Sequence, residues 1–169
     1  MQIIQTDRLI ITPFDLKSLK DYYDGFDADI TKYQYPDPFE TESDARELLQ
    51  GFIDLMKQGE MLFLAIFTKD NHFAGSIEIH GLKEEQPELG LWIKRDFQQR
   101  GYAYEALSNV VKQVNDDFQK EWYIYEADIR NTGSIKLVEK FIYHKDGFEE
   151  FTTEAGKELK LQKYIIKIK

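Results

Sequence analysis

The stretch PELGLWIKRDFQQRGYAYEALSNVVKQVNDDF, residues 87–118, decides how the chain folds. Its opening, PELGLWIKRDF, reads as a strand. From Gly101 onward Ala103, Ala106, Leu107, Val110, Val111, Val114 and Phe118 recur at helical spacing and predict a long helix with one apolar face. Between the two lies QQRGYA, a strand-to-helix turn whose first free N–H groups have no partner inside the helix and whose dipole favours an anion. Gly101 would let an anion approach the backbone, Ala103 would keep the first turn uncrowded, and Arg100 would add a charged donor, so phosphate is the natural candidate. The turn is not a Walker A loop, since no Gly-Lys-Ser/Thr follows, and it lacks the three glycines of a dinucleotide turn. Taken alone, the same residues suit a plain turn with a solvated arginine equally well.

Composition narrows the classes. A chain of 169 residues is the length of one domain, here taken as 1–169, and no linker, repeat or low-complexity segment divides it. The absence of cysteine excludes disulfides, thiolate metal sites and a cysteinyl intermediate. The start MQIIQTDRLIITPF has no basic leader before a long apolar run, and no window reaches a membrane span, which predicts a soluble cytoplasmic protein with no membrane partner. A formal net charge of -9 argues against a nucleic-acid partner and mildly favours cationic ones, although it also simply keeps a protein soluble.

Working outward, RLIITPF reads as a strand stopped by Pro13, followed by a helical run of Leu16, Leu19, Tyr22 and Tyr23 behind an Asp15 cap. A second helix from about Glu42 carries Ala45, Leu48, Leu49, Phe52, Ile53 and Met56 on one stripe, with Gly59 as its stop. The aromatic loop from Tyr33 to Phe39 before it is suited to a substrate entrance. MLFLAIFT and FAGSIEIHGL flank the turn signal KDNH as a hairpin. WYIYEADI is a strand and SIKLVEKFI a short helix, while the C-terminal ELKLQKYIIKIK alternates but changes parity between Leu161 and Tyr164, as at a bulge or in a strand serving two surfaces. Strand, helix, strand, helix from 88 to 141, with strands in the middle and at the end, predicts a mixed α/β or α+β sheet.

Taken together, TDRLIITPF, GSIEIHG, PELGLWIKRDFQQRGYAYEAL and NTGSIKLVEKF resemble, in order and spacing, the GNAT superfamily of acetyl-CoA-dependent N-acetyltransferases, most of all its RimJ/RimL type, over nearly the whole chain. The resemblance implies a mixed, mostly antiparallel twisted sheet of about seven strands flanked by helices. It also implies acetyl-CoA as cosubstrate, its pyrophosphate cradled by Gln98, Gln99, Arg100, Gly101, Tyr102 and Ala103, its pantetheine arm paired with Leu91, Trp92 and Ile93, and Asn131 beside it. Ser134 matches the serine placed near the sulfur. The chain departs from the family in reading EKFIY, with Ile142 and Tyr143 where Gly and Phe are common, and in carrying Val138 where many relatives have an acidic tyrosine.

Acetyl transfer to an amine needs a neutral amine, a stabilised oxyanion and a proton for the thiolate, and without cysteine the expected route is direct attack in a ternary complex. An α-amino group of pKa about 8 is roughly one-tenth neutral at pH 7 and a lysine amine roughly one in 2,500, a gap of about 3.3 kcal/mol. An N-terminal amine therefore needs little from a base. Glu78, Glu88 and Glu126 are the candidate carboxylates, all on predicted strands, and a main-chain N–H around Trp92 and Ile93 is the candidate oxyanion donor. His72, His80 and His144 show no metal-ligand spacing, so no metal is expected, and Trp92, Tyr102 and Tyr104 read as packing and pocket walls. The expected acceptor is a small amine or a protein N-terminus, with a homodimer compatible. A non-catalytic binding domain of the same fold and a polyamine acetyltransferase are the alternatives.

Overall fold

The computed structural model describes residues 3–168. Its centre is one sheet whose middle strands are buried on both faces. MLFLAIFT becomes β3 (Met61–Thr68), with Leu62, Leu64 and Ile66 entering one apolar cluster and Met61, Phe63 and Ala65 the other. That period of two, apolar on both sides, is the pattern of a strand covered twice. The first cluster is mostly aliphatic and packs against α3 (Tyr102–Phe118) through Ala106, Leu107, Val110, Val111 and Val114. The second is aromatic and packs against α1 (Leu19–Gly25) and α2 (Glu42–Lys57) through Tyr22, Ala45, Leu49 and Ile53.

The remaining strands are β1 (Ile4–Gln5), β2 (Leu9–Pro13), β4 (Phe73–His80), β5 (Glu88–Ile93), β6 (Tyr123–Asp128), β7 (Ile142–Thr152) and β8 (Glu158–Lys167), in the order β1-β2-β3-β4-β5-β6-β8-β7. All neighbours are antiparallel except β5 and β6, which α3 joins as a crossover. The fold is thus the expected mixed sheet flanked by helices, with eight strands among the described residues rather than about seven. Asp15 caps the 3-10 turn Leu16–Ser18 that leads into α1, and Thr41 with Asp44 forms a capping box on α2. No helix among the described residues is long and apolar enough to cross a membrane.

Two expectations are corrected, and two features of the C-terminal hairpin gain an explanation. The short helix, α4 (Thr132–Val138), ends before Ile142, which opens β7 instead. Phe118 is 39% exposed at the last turn of α3 and leaves the apolar face early. β7 has no sequence signature because nearly all of it is exposed, so no burial pattern is imposed on it. The parity change in β8 falls where Tyr164, Ile165 and Ile166 are all buried, in unbroken register with β6, so the strand there serves two surfaces, and the bulge of this hairpin lies in β7, between Lys145 and Gly147.

A further irregularity lies between β3 and β4, where Ile66 pairs with Gly75 and Phe67 with Phe73. Gly75 has φ 150°, and a Cβ there would meet the Trp92 carbonyl oxygen at 2.1 Å. Both the conformation and the clash with backbone demand glycine. Gly75→Ala is expected to cost about 3 kcal/mol or more, read as a lower midpoint in urea unfolding, whereas Gly51→Ala, in open space on α2, should be neutral or stabilising.

Candidate active site

β5 and β6 pair only at Glu88 with Ile124 and Leu89 with Tyr125, after which β5 runs on to Ile93 beside β4, and β6 to Asp128 beside β8. The parallel strands therefore split, and a cleft opens past their last shared bonds. Lys94 donates to the Ala74 carbonyl at 2.8 Å, and in an antiparallel ladder residues alternate in direction. The main-chain groups of Gly90 and Trp92 are thereby committed to β4, while those of Leu91 and Ile93 face the gap. The Ile93 carbonyl already accepts from Gln98 Nε2 at 2.9 Å, leaving the N–H groups of Leu91 and Ile93 toward the cleft.

The cleft has two lobes. One, of about 500 Å³, is walled by Leu91, Trp92, Ile93, Gln98, Gln99, Gly101, Tyr102, Ala103, Asn131 and Ser134, so the structure brings these sequence-predicted residues together. Arg100 stands off the wall, exposed, with its guanidinium 5.6 Å from the Phe97 ring. Gly101 is the N-cap of α3 with φ 80°, and no side chain caps that helix end. Its first N–H groups and its dipole are thus open toward the lobe. The other lobe, of about 580 Å³, holds Glu78, Glu88 and Glu126 together with Tyr33, Gln34 and Tyr35 of the aromatic loop. Gln34, Leu91, Trp92, Tyr125, Asn131 and Ser134 border both.

Ser134 is placed by the local turn. The Asn131 side chain accepts from the Ser134 N–H at 3.1 Å and caps α4. The turn before it is fixed by Asp128, fully buried, whose carboxylate takes the Arg130 N–H at 2.9 Å, Arg130 Nε at 2.8 Å and Nη2 at 2.7 Å, and the Lys160 N–H at 2.8 Å. Burial works against its ionisation, yet these bonds hold its carboxyl below the usual range. The Tyr125 hydroxyl lies 3.4 Å from Ser134 Oγ. Burial pushes that phenol up, so it keeps its proton and remains a donor to Ser134.

Sequence reasoning missed Tyr125, a core-spaced aromatic with no signal distinguishing it from packing. It also missed the brace beneath the Gly101 turn. Arg8 donates from Nη1 to the Arg100 carbonyl at 2.8 Å and from Nε to Glu105 at 2.6 Å, and Thr6 Oγ1 donates to Glu105 at 2.6 Å. The aromatic loop is held from outside by Lys157, whose Nζ donates to the Thr31 and Gln34 carbonyls at 2.8 and 2.7 Å and pairs with Asp37 at 2.8 Å.

Burial alone would raise Glu105, but Thr6 and Arg8 outweigh it and hold its carboxyl below the usual range. A carboxyl depressed in the fold contributes fully above its unfolded pKa of about 4.5 and loses that contribution as pH falls through the folded value. Glu105→Gln should therefore be less stable at pH 7 by about 1–2 kcal/mol. The variant should also converge with the unaltered chain as pH drops below about 4, read from urea midpoints across pH.

Comparison with known proteins agrees with this fold. Residues 8–141 match the acetyltransferase (GNAT) domain family. A protein of Bacillus licheniformis described as the uncharacterized N-acetyltransferase p20 is 26% identical over 153 residues, 87% of this chain and 85% of its own length. Among solved structures, the ribosomal-protein alpha-N-acetyltransferase RimL in complex with coenzyme A superposes with a TM-score of 0.86 at 15% identity, over 99% of this chain and 98% of its own. The spermidine N-acetyltransferase of Vibrio cholerae in complex with CoA and spermine does so with a TM-score of 0.80 at 14% identity, over 96% and 97%.

Proposed function

This chain belongs to the GNAT acetyltransferase family, and from that premise we propose that it transfers an acetyl group from acetyl-CoA to a primary amine by direct attack in a ternary complex. The acceptor is a small amine or a protein N-terminus. The observation that carries the reading is the uncapped start of α3 at left-handed Gly101, facing the same cleft as the free main-chain edge of β5. An anionic pyrophosphate fits the first and a pantetheine amide the second. At φ 80° Gly101 also holds a left-handed conformation that residues with a Cβ rarely adopt.

Each residue then has a task. The thioester supplies an activated acyl carbon. The Ile93 N–H, on the smaller lobe alone, serves the pantetheine amide, and the Leu91 N–H, where the two lobes meet, is the oxyanion donor, a preorganised group that stabilises charge without reorganisation. Glu126 is the best placed base: burial first, and then Glu88 and Glu149, raise its carboxyl against the opposing pull of Lys163, so it takes a proton more readily than a solvated carboxylate. Glu88, exposed at the lobe's rim, passes that proton to water. The neutral amine's lone pair forms the N–C bond, the C–S bond breaks, and Ser134 hands its proton to the departing sulfur and regains one from water, while Tyr125 keeps its own proton and steadies the Ser134 oxygen through its hydrogen bond. The products are the acetamide and the free thiol. Val138, only 1% exposed, cannot serve as acid, which is why the role falls to Ser134. That same substitution favours the second reading, a domain that binds acetyl-CoA without turnover.

Two variants test this. Gly101→Glu, confirmed as folded by circular dichroism, should weaken acetyl-CoA binding by about 100-fold or more in calorimetry, since bulk and charge enter the cradle. Unchanged affinity would refute the assignment of that turn. Ser134→Ala should leave acetyl-CoA affinity intact and lower acceptor-dependent thiol release by about 100-fold. Release absent from the unaltered protein with every amine would leave the binding-domain reading standing.

A further inference from the structure

The two lobes of the cleft differ in charge. On the wall of the larger lobe stand Glu78, Glu88 and Glu126, and, among the described residues, no lysine or arginine. Its one basic group, His80, has Nε2 3.6 Å from Glu78 Oε2, and that carboxylate raises the imidazole's pKa although burial opposes it. Outside the wall, Glu149 adds to the negative field on Glu126, and the Lys163 ammonium is engaged by Asp146 at 3.0 Å. The smaller lobe carries Lys136 and Lys140. One lobe thus suits an anion and the other a cation.

Spacing adds a second constraint. Trp92 borders both lobes, and Gly90 and Glu88 follow it at about 7 and 13 Å along β5. Glu78 is paired with Gly90, and a Cβ at Gly90 would sit 3.3 Å from Glu78 Oε2, so the missing side chain keeps the floor open beside that carboxylate. Trp92 is 5% exposed and its indole N–H has no hydrogen-bond partner among the described residues. Tyr33, Tyr35, Phe52 and Phe151 enclose the lobe, faces against which methylenes and ammonium groups both pack favourably.

We infer that the acceptor is a linear diamine or polyamine, one nitrogen reacting at the junction of the lobes while a second, about 6 Å away across four carbons, pairs with Glu78 at the Gly90 gap or, in a longer chain, with Glu88. This rests on the transferase reading above. A free amino acid brings a carboxylate that meets three like charges on this wall and no lysine or arginine among the described residues, the one basic group, His80, being already engaged by Glu78. A simple monoamine leaves the second carboxylate site unused.

The test compares three acceptors of one length by thiol release from acetyl-CoA: 1,4-diaminobutane, n-butylamine and 4-aminobutyrate. A triamine and an N-terminal peptide are run beside them, with acetyl-CoA binding measured separately by calorimetry. The diamine is expected to exceed n-butylamine about tenfold and 4-aminobutyrate about 100-fold in kcat/KM. Glu78→Gln should collapse the diamine's advantage over n-butylamine toward parity, and 0.5 M salt should shrink it in the unaltered protein. Equal use of the three, preference for 4-aminobutyrate or for the peptide, or acetyl-CoA binding with no turnover of any amine overturns the acceptor assignment. Failure to bind acetyl-CoA overturns the transferase reading itself.

Discussion

Two consecutive parallel pairings, Glu88 with Ile124 and Leu89 with Tyr125, hold β5 to β6, and the cleft of the proposed site depends on their stopping there. Beyond them each strand keeps its outer neighbour, β4 or β8, and the sheet divides without unravelling. The split leaves main-chain donors that no strand satisfies, in a crevice at the carboxyl ends of parallel strands, where α/β sheets bind ligands. Apolar burial supplies the rigidity this requires: α3 closes one face over Leu89 and Ile93, and α1 with α2 closes the other over Trp92.

Around that split the chain places multiply bonded charges where segments must hold still. Asp128 fixes the turn that presents Asn131 and Ser134, Glu105 with Arg8 fixes the turn at Gly101, and Lys157 holds the aromatic loop against the β7–β8 hairpin. In each case a charged group bonds to backbone as well as to its opposite charge, and it is such multiply bonded pairs, rather than exposed ones, that contribute to order. The proposed chemistry uses neighbours of these anchors and leaves the anchors themselves outside the reaction.

Much of this was legible in the residues. The helical stripe from Ala103 to Val114, the hairpin around KDNH and the small residues of QQRGYA each signal one local outcome, and the first two reappear as elements with nearly the expected bounds. β7 was not legible: an exposed strand obeys no burial period, and its pairing with β8 comes from the partner. Among the proposed site residues, Gly101 is marked by its place at the helix start and Ser134 by the family resemblance, whereas Tyr125 and Arg8 are ordinary types whose contacts depend on what a distant segment brings beside them.

By itself the sequence determined the alternation of strands and helices, the apolar faces that pair them, and the small-residue turn at the start of α3, because each is set by periodicity and by backbone freedom within a few residues. The tertiary structure alone decided the length of the β5–β6 pairing, the meeting of Glu78, Glu88 and Glu126 in one lobe free of lysine and arginine, and the brace from Arg8 to Glu105. Those depend on registers between strands and on side chains far apart in the chain, 97 positions in the case of Arg8 and Glu105, and local propensity carries no information across that distance.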